Sequence, residues 1–219
     1  MTDALAQVLT ASSRTAADSE NGTVTPPPRR RNADVRKREH LTEAEIERLM
    51  TAASESFYGL RDRTMILMAY RHGLRVSELC ALEWSQVIDL DRQNRASLKV
   101  ERLKGSISGT HPLEPDEVAA LRKLRKAHPD DVYVFMSERG EPVTPAGFRK
   151  LLTRTAERAG LASLRVHPHM LRHSAGQALV EKLPLGMLAD YLGHAQLQNT
   201  RIYTRTNGER FRGIWRRHK

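Results

Sequence analysis

From Leu41 onward the apolar residues fall mostly at helical spacing, interrupted by one stretch of strand-like alternation. Thr42 and Glu45 form a T-x-x-E capping box, with Leu41 and Ile46 at the two positions of a hydrophobic staple. The spacing predicts a helix over about 43–53, with Ile46, Leu49 and Met50 facing a core. A second helix is expected over about 60–72. Its run Met65 to Tyr70 is apolar on every side, which predicts a central position, and Gly73 is placed to end it. Ala96, Leu98, Val100 and Leu103 alternate approximately, Lys104-Gly105-Ser106 reads as a turn, and Ile107 to Leu113 returns as the second arm of a hairpin. A helix over about 115–127 carries Val118, Leu121 and Leu124. Val132 to Phe135 reads as a short buried strand. Thr144 then caps a helix with Pro145 in its first turn and Gly160 beyond its end. The stretch 168–218 reads as three or four helices, broken at Leu183-Pro184, Gly193 and Asn207-Gly208. The pattern predicts a mainly α fold with a small antiparallel β-sheet (α+β) and no internal repeat.

Charge adds a partner to this picture. Lysine and arginine total 36 against 26 acids, a formal charge of +10, which favours a polyanion over a neutral small molecule. The 219 residues suit one or two domains. The six apolar residues from Met65 fall far short of the roughly 18 that a membrane helix needs. No secretory signal is expected at the start, where Asp3 interrupts early. The single cysteine, Cys80, excludes an internal disulfide and a multi-cysteine zinc site, and a reducing, cytoplasmic setting is the simplest fit. Residues 1–38 have the composition of a tail: Ser, Thr, Ala, Asp and Asn, then Pro26, Pro27 and Pro28. Arg29, Arg30, Arg31, Arg36, Lys37 and Arg38 follow, opposed only by Asp34. They read either as a basic arm lying on nucleic acid or as a solvated linker.

Three segments combine charged or aromatic groups with apolar neighbours: GLRVSEL at 73–79, HPHMLRH at 167–173, and YLGH at 191–194 followed by Tyr203. Arg75 lies between Leu74 and Val76. It is either paired with Glu78, three residues on, or aimed into a cleft. His169 and Arg172 share a helix face. His169 and His173, four apart, also have metal-ligand spacing, but no H-E-x-x-H pattern or cysteine supports a metal, and none is expected. His167 reads as a helix-entry residue, His194 as a cap after Gly193, and Tyr203 taken alone as a packing residue. As a set, the arginines, histidines, tyrosine and turn lysine contain no catalytic carboxylate pair. Such a set suits a phosphodiester, which arginine binds bidentately and which a tyrosine hydroxyl can attack.

The three segments resemble those of the tyrosine recombinases, the phage-integrase-type site-specific recombinases. G-L-R-x-S-E-L matches at Arg75, H-x-L-R-H at His169 and Arg172, L-G-H at His194, and the nucleophile position, nine residues later, at Tyr203. The family's hairpin lysine matches Lys104. The ordered matches lie within residues 42–205, and AYRHGLRVSEL, RLK and HPHMLRH are most similar to the compact recombinases that invert fimbrial promoter elements. The resemblance implies a catalytic domain over 39–205, preceded by the 1–38 tail and followed by a 206–219 docking segment. It also implies that no cofactor or metal is needed. Tyr203 would form a 3′-phosphotyrosyl link, with Arg75 and Arg172 on the phosphate, Lys104 as general acid, and His169 and His194 assisting. Glu78 and His173 would be supporting groups. The implied partners are double-stranded DNA, a homo-tetramer on two sites and accessory DNA-bending proteins, in a bacterial, DNA-associated setting without a membrane. About 40 residues before the catalytic domain are too few for the core-binding domain of larger members. Phe211, Ile214 and Trp215 form one helix face that either docks on a neighbouring subunit or packs on its own domain. Arg210, Arg212, Arg216 and Arg217 around them suit DNA backbone contact. A type IB topoisomerase-like enzyme and a non-catalytic DNA-binding regulator are the alternatives.

Overall fold

The computed structural model describes residues 38–92, 95–102 and 107–203. The tail through Lys37, the turn holding Lys104, and the 206–219 segment with Arg210, Arg212, Arg216 and Arg217 lie outside these residues. Helix α1 spans Glu43–Ser54 and begins as its sequence dictates: the Thr42 hydroxyl accepts from Glu45 N–H and the Glu45 carboxylate accepts from Thr42 N–H. Leu41 and Ile46, the staple pair, are both buried. Helix α2, Gly59–Arg71, is the centre of the fold, with Met65, Ile66, Leu67, Met68 and Ala69 all inside. It packs against α1 and against two later helices, α4 (Pro115–Ala127) and α6 (Pro168–Leu179). Gly73 turns the chain out of α2 at φ +56°, and the short helix α3, Val76–Cys80, follows.

The sheet is antiparallel in the order β1-β2-β3, with β1 at Val87–Ile88, β2 at Ser97–Val100 and β3 at Gly109–Pro112. Leu98 pairs with both Val87 and His111, and it is fully buried together with Val100, so one sheet face closes on the helices. The hairpin arms are therefore as the alternation predicts, with β1 as an edge strand that the sequence pattern did not reveal. The expected strand Val132–Phe135 is corrected. Its backbone makes isolated bridges instead, Tyr133 to Glu83 on one side and Met136 to Pro142 on the other, and Val132 is 60% exposed. The chain here makes two hydrogen bonds to residues 82–84 and then changes partner for two to residues 141–143, so no ladder builds, while Val134 and Phe135 still plug the core.

Helix α5, Pro145–Arg158, starts on the Thr144 hydroxyl, which accepts from Gly147 N–H at 3.0 Å. Helix α7, Leu185–Leu192, ends at Gly193 in the left-handed conformation. Two 3₁₀ turns, Leu197–Asn199 and Arg201–Tyr203, then carry the chain back to α7. The main core runs from Leu41 to Leu171. A second, smaller apolar cluster joins Leu188, Leu192 and Tyr203, with Leu179, Val180, Leu183 and Tyr191 against it.

Phe148 of α5 is fully buried in the main core. Phe148→Ala is expected to lose about 3–5 kcal/mol of stability, read as a lower urea midpoint at unchanged slope.

Candidate active site

The site grows from the turn between α2 and α3. Glu78 closes the first turn of α3 by accepting from the Arg75 backbone N–H at 2.8 Å, and its other oxygen takes the Arg75 guanidinium at 2.7 Å. The pairing that the three-residue spacing predicts is therefore present. Glu78 also receives Arg102, at 2.7 Å, and the side chains of Glu78 and Arg102 are 2% and 1% exposed. Burial pushes the Glu78 carboxyl up. The Arg75 N–H and the two guanidiniums outweigh that, and its pKa lies below the ordinary carboxylate value.

Arg172 projects from α6 into the same turn. It donates to the Gly73 carbonyl and to the Leu192 carbonyl, each at 2.5 Å. One guanidinium thus joins the turn that leads into Arg75 to the end of α7 that leads into His194. Burial first, then repulsion from Arg102 and Arg75, lowers the Arg172 pKa to about 10, so it remains a cation at neutral pH. Gly73 and Gly193 are what allow this approach. A Cβ on Gly73 would lie 2.6 Å from Leu192, and one on Gly193 would lie 2.7 Å from the Ile107 carbonyl and 2.8 Å from Arg102.

Tyr203 is 3% exposed, with its ring in the second apolar cluster and its hydroxyl 3.1 Å from His173 Nδ1. His173, expected as a supporting group, is the histidine on this phenol. His169 is solvent-exposed and meets His173 edge to face, with ring centroids 4.2 Å apart. Desolvation raises the Tyr203 pKa, and the Arg172 charge opposes it. Desolvation, followed by the neighbouring His169, lowers His173 to about 4. Desolvation and the three arginines lower His194 to about 4 as well. Both imidazoles are neutral at pH 7. The His194 backbone N–H caps α7 by donating to the Ala189 carbonyl at 2.8 Å, while its ring bonds to the buried Thr200 hydroxyl, at 2.9 Å, which pins the segment leading to Tyr203. Arg38, placed by its sequence in the basic arm, pairs with Glu45.

Three residues that sequence reasoning missed complete the site. Gly176 lies one helical turn beyond Arg172, and a Cβ there would sit 2.3–2.7 Å from three Tyr203 ring atoms, so the glycine is the seat of the ring. Thr200 carries no sequence signal. Arg102 carried one: it continues the inward parity of Leu98 and Val100. Behind Arg102 lies a buried chain of polar rings. His72 contacts His111 at 3.2 Å and Glu117 at 3.1 Å, and His111 stacks on Tyr191 at 4.0 Å.

A helical domain that brings two arginines to one turn and seats a tyrosine against a histidine beside them has the make-up of a tyrosine recombinase catalytic domain. Residues 39–210 match the phage integrase family, and the chain belongs to that family: it is a site-specific recombinase. It is 39% identical over 191 residues to the type 1 fimbriae regulatory protein FimB of Escherichia coli K12, covering 84% of this chain and 93% of that one. FimE of the same strain is 36% identical over 190 residues, covering 83% and 93%. The crystal structure of the XerA recombinase superposes with a TM-score of 0.67 at 26% identity, over 89% of this chain and 68% of that one.

Gly176→Ala replaces a poor helix former with the best one, a gain of about 1 kcal/mol in an open helix. Here it is expected instead to expel the Tyr203 ring. The check is nitration of the Tyr203 peptide, protected in the wild type and labelled in the variant.

His111, held at about 3, joins His173 and His194 as a histidine kept neutral mainly by burial. In the unfolded chain each titrates near 6.5, so below that pH the unfolded state binds more protons. Their contribution to stability is whole above pH 6.5 and is lost as pH falls from there through about 4 for His173 and His194 and about 3 for His111. Melting temperatures taken from pH 7 to pH 4 are expected to drop through this window.

Proposed function

We propose that this chain cleaves and rejoins double-stranded DNA through Tyr203. The hydroxyl attacks a phosphodiester, the Tyr203 O–P bond forms, and the bond from phosphorus to the 5′-oxygen breaks. This leaves a 3′-phosphotyrosyl end and a 5′-hydroxyl. The phenol proton passes first to His173, whose Nδ1 lies on the hydroxyl, with His169 beside it on the open side. Arg75 and Arg172 hold the non-bridging oxygens and stabilise the added charge of the trigonal-bipyramidal transition state, the largest kind of catalytic contribution. His194 donates to the phosphate from its place on Thr200, and Lys104 supplies the proton to the leaving oxygen. The tyrosyl link keeps the phosphodiester's energy, so a second strand's 5′-hydroxyl reverses the step without a nucleotide, and the arginines supply the charge that a metal would otherwise bring. The observation that carries this reading is the Arg172 guanidinium, which spans the Gly73 and Leu192 carbonyls and so ties the turn before Arg75 to the helix end before His194.

Likeness to the fimbriae regulatory proteins over nearly their whole length supports DNA inversion as the outcome. That outcome requires four copies on two sites, with residues 206–219 docking between neighbours and the 29–38 arm on the DNA backbone. Accessory DNA-bending proteins and a cytoplasmic location fit the same reading.

The test is a nicked duplex, enriched by the protein from a random pool and incubated in EDTA. The wild type is expected to give a protein–DNA adduct stable to denaturing electrophoresis, and Tyr203→Phe none. Arg172→Ala is expected to slow adduct formation by about 10²–10³. A bound duplex with no adduct overturns the catalytic reading in favour of a DNA-binding regulator.

A further inference from the structure

Arg102 touches nothing outside the protein, since its side chain is 1% exposed. Its guanidinium donates to Glu78 at 2.7 Å and to the Tyr191 carbonyl at 2.9 Å, with longer bonds to the His72 and Gly73 carbonyls at 3.3 and 3.4 Å. Its backbone N–H is held by the Ser108 hydroxyl at 3.0 Å. Burial lowers its pKa, and the Glu78 charge opposes that. A buried cation with this many partners at the junction of sheet, turn and α7 is either a structural clamp or a device acting on its neighbours.

Charge sharing decides between the two. Glu78 is the carboxylate that joins Arg75 and Arg102 among the described residues, and it gives one oxygen to each guanidinium. Without Arg102 the whole anionic charge of Glu78 falls to Arg75 and offsets more of that guanidinium's field. With Arg102 present, half of the carboxylate is engaged elsewhere, and Arg75 keeps positive potential toward an incoming phosphate. The carbonyl bonds fix where this happens, because Gly73 accepts from both Arg102 and Arg172. Gly193 leaves the space into which Arg102 fits, the only residue type there that adds no side chain.

We infer that Arg102 is a positioning residue for strand cleavage. By holding Glu78 and the Gly73 turn, it keeps the Arg75 guanidinium oriented and its positive potential turned toward the phosphate, without touching DNA itself. This rests on the reading of Arg75 and Tyr203 given above. The effect should fall on the chemical step rather than on DNA affinity, and only where the phosphate carries a negative charge.

The experiment compares two nicked duplexes of the same sequence, one with an ordinary scissile phosphodiester and one with an uncharged methylphosphonate in its place. The proteins are wild type, Arg102→Met and Arg102→Lys. On the phosphodiester, Arg102→Met is expected to cleave about 10²-fold more slowly, the scale of losing one oriented donor, with duplex Kd within about threefold of wild type. On the methylphosphonate, which carries one negative charge fewer in both ground and transition state, Arg75 meets less charge and the deficit should shrink to within about threefold. Arg102→Lys keeps a charge on Glu78 but loses the fork to the carbonyls, and it should fall between the two on the phosphodiester. Circular dichroism melts separate loss of fold, and if Arg102→Met does not fold, the Arg102→Lys ratio between the two duplexes carries the test. Equal slowing on both duplexes makes Arg102 a structural clamp only and overturns the inference, as does unchanged cleavage. A wild type that forms no adduct overturns the Tyr203 reading instead, and the two failures are distinct.

Discussion

A carboxylate sealed from water between two guanidiniums is the fixed point around which this domain is arranged. Placing an ion in a protein interior costs several kcal/mol after relaxation, and only close, well-aligned partners offset it. Glu78 meets that condition in three ways. It accepts the N–H that starts its own helix, it holds the arginine three residues before it, and it takes a third bond from an arginine contributed by the sheet. The first two partners are local and available as soon as the turn forms. The third requires the hairpin to dock, so the ion triad links the sheet to the helical core more specifically than apolar contact does.

Around that point the architecture is a set of chain ends brought together by main-chain carbonyls. Gly73, His72, Tyr191 and Leu192 each offer an oxygen at the end of a helix, where no intrahelical donor remains. Arg102 and Arg172 supply the missing donors. The two arginines thus terminate α2 and α7, and in doing so both are drawn out of solvent into the turn that leads to Arg75. Tyr203 is held instead by apolar packing, its ring against Leu188 and Leu192 and in the gap at Gly176, leaving only its hydroxyl to find the histidine.

The sequence made visible those elements whose information is local. The Thr42 box, the Thr144 cap, the all-apolar stretch of α2 and the Arg75–Glu78 spacing each hold their reason within a few residues, and the structure shows each in place. What escaped depends on distance in the chain. The segment Val132–Phe135 looks like a strand because its side chains are apolar, but strand character needs a continuous neighbour, and it has two discontinuous ones. His173 and His169 differ by one turn of helix, so spacing alone could not say which would face a tyrosine 30 residues away. The seating of the Tyr203 ring in the second cluster and against Gly176 decides it. Arg102 went unnoticed because a charged residue in an alternating run usually marks the wet face. Parity with Leu98 and Val100 placed it on the dry one, and a buried acid 24 residues earlier was the reason.

The repulsion that Arg172 experiences from Arg75 and Arg102 has a thermodynamic counterpart. Like charges gathered this closely raise the free energy of the native molecule, and an anion settling among them would lower it. Recognition and folding are then two readings of one quantity. The denser the positive charge, the more the native state is held below the stability its core could support, and a bound polyanion would return the difference by mass action. A sequence optimised for thermal endurance alone would discharge this centre, and in doing so would lose its hold on a nucleic acid backbone.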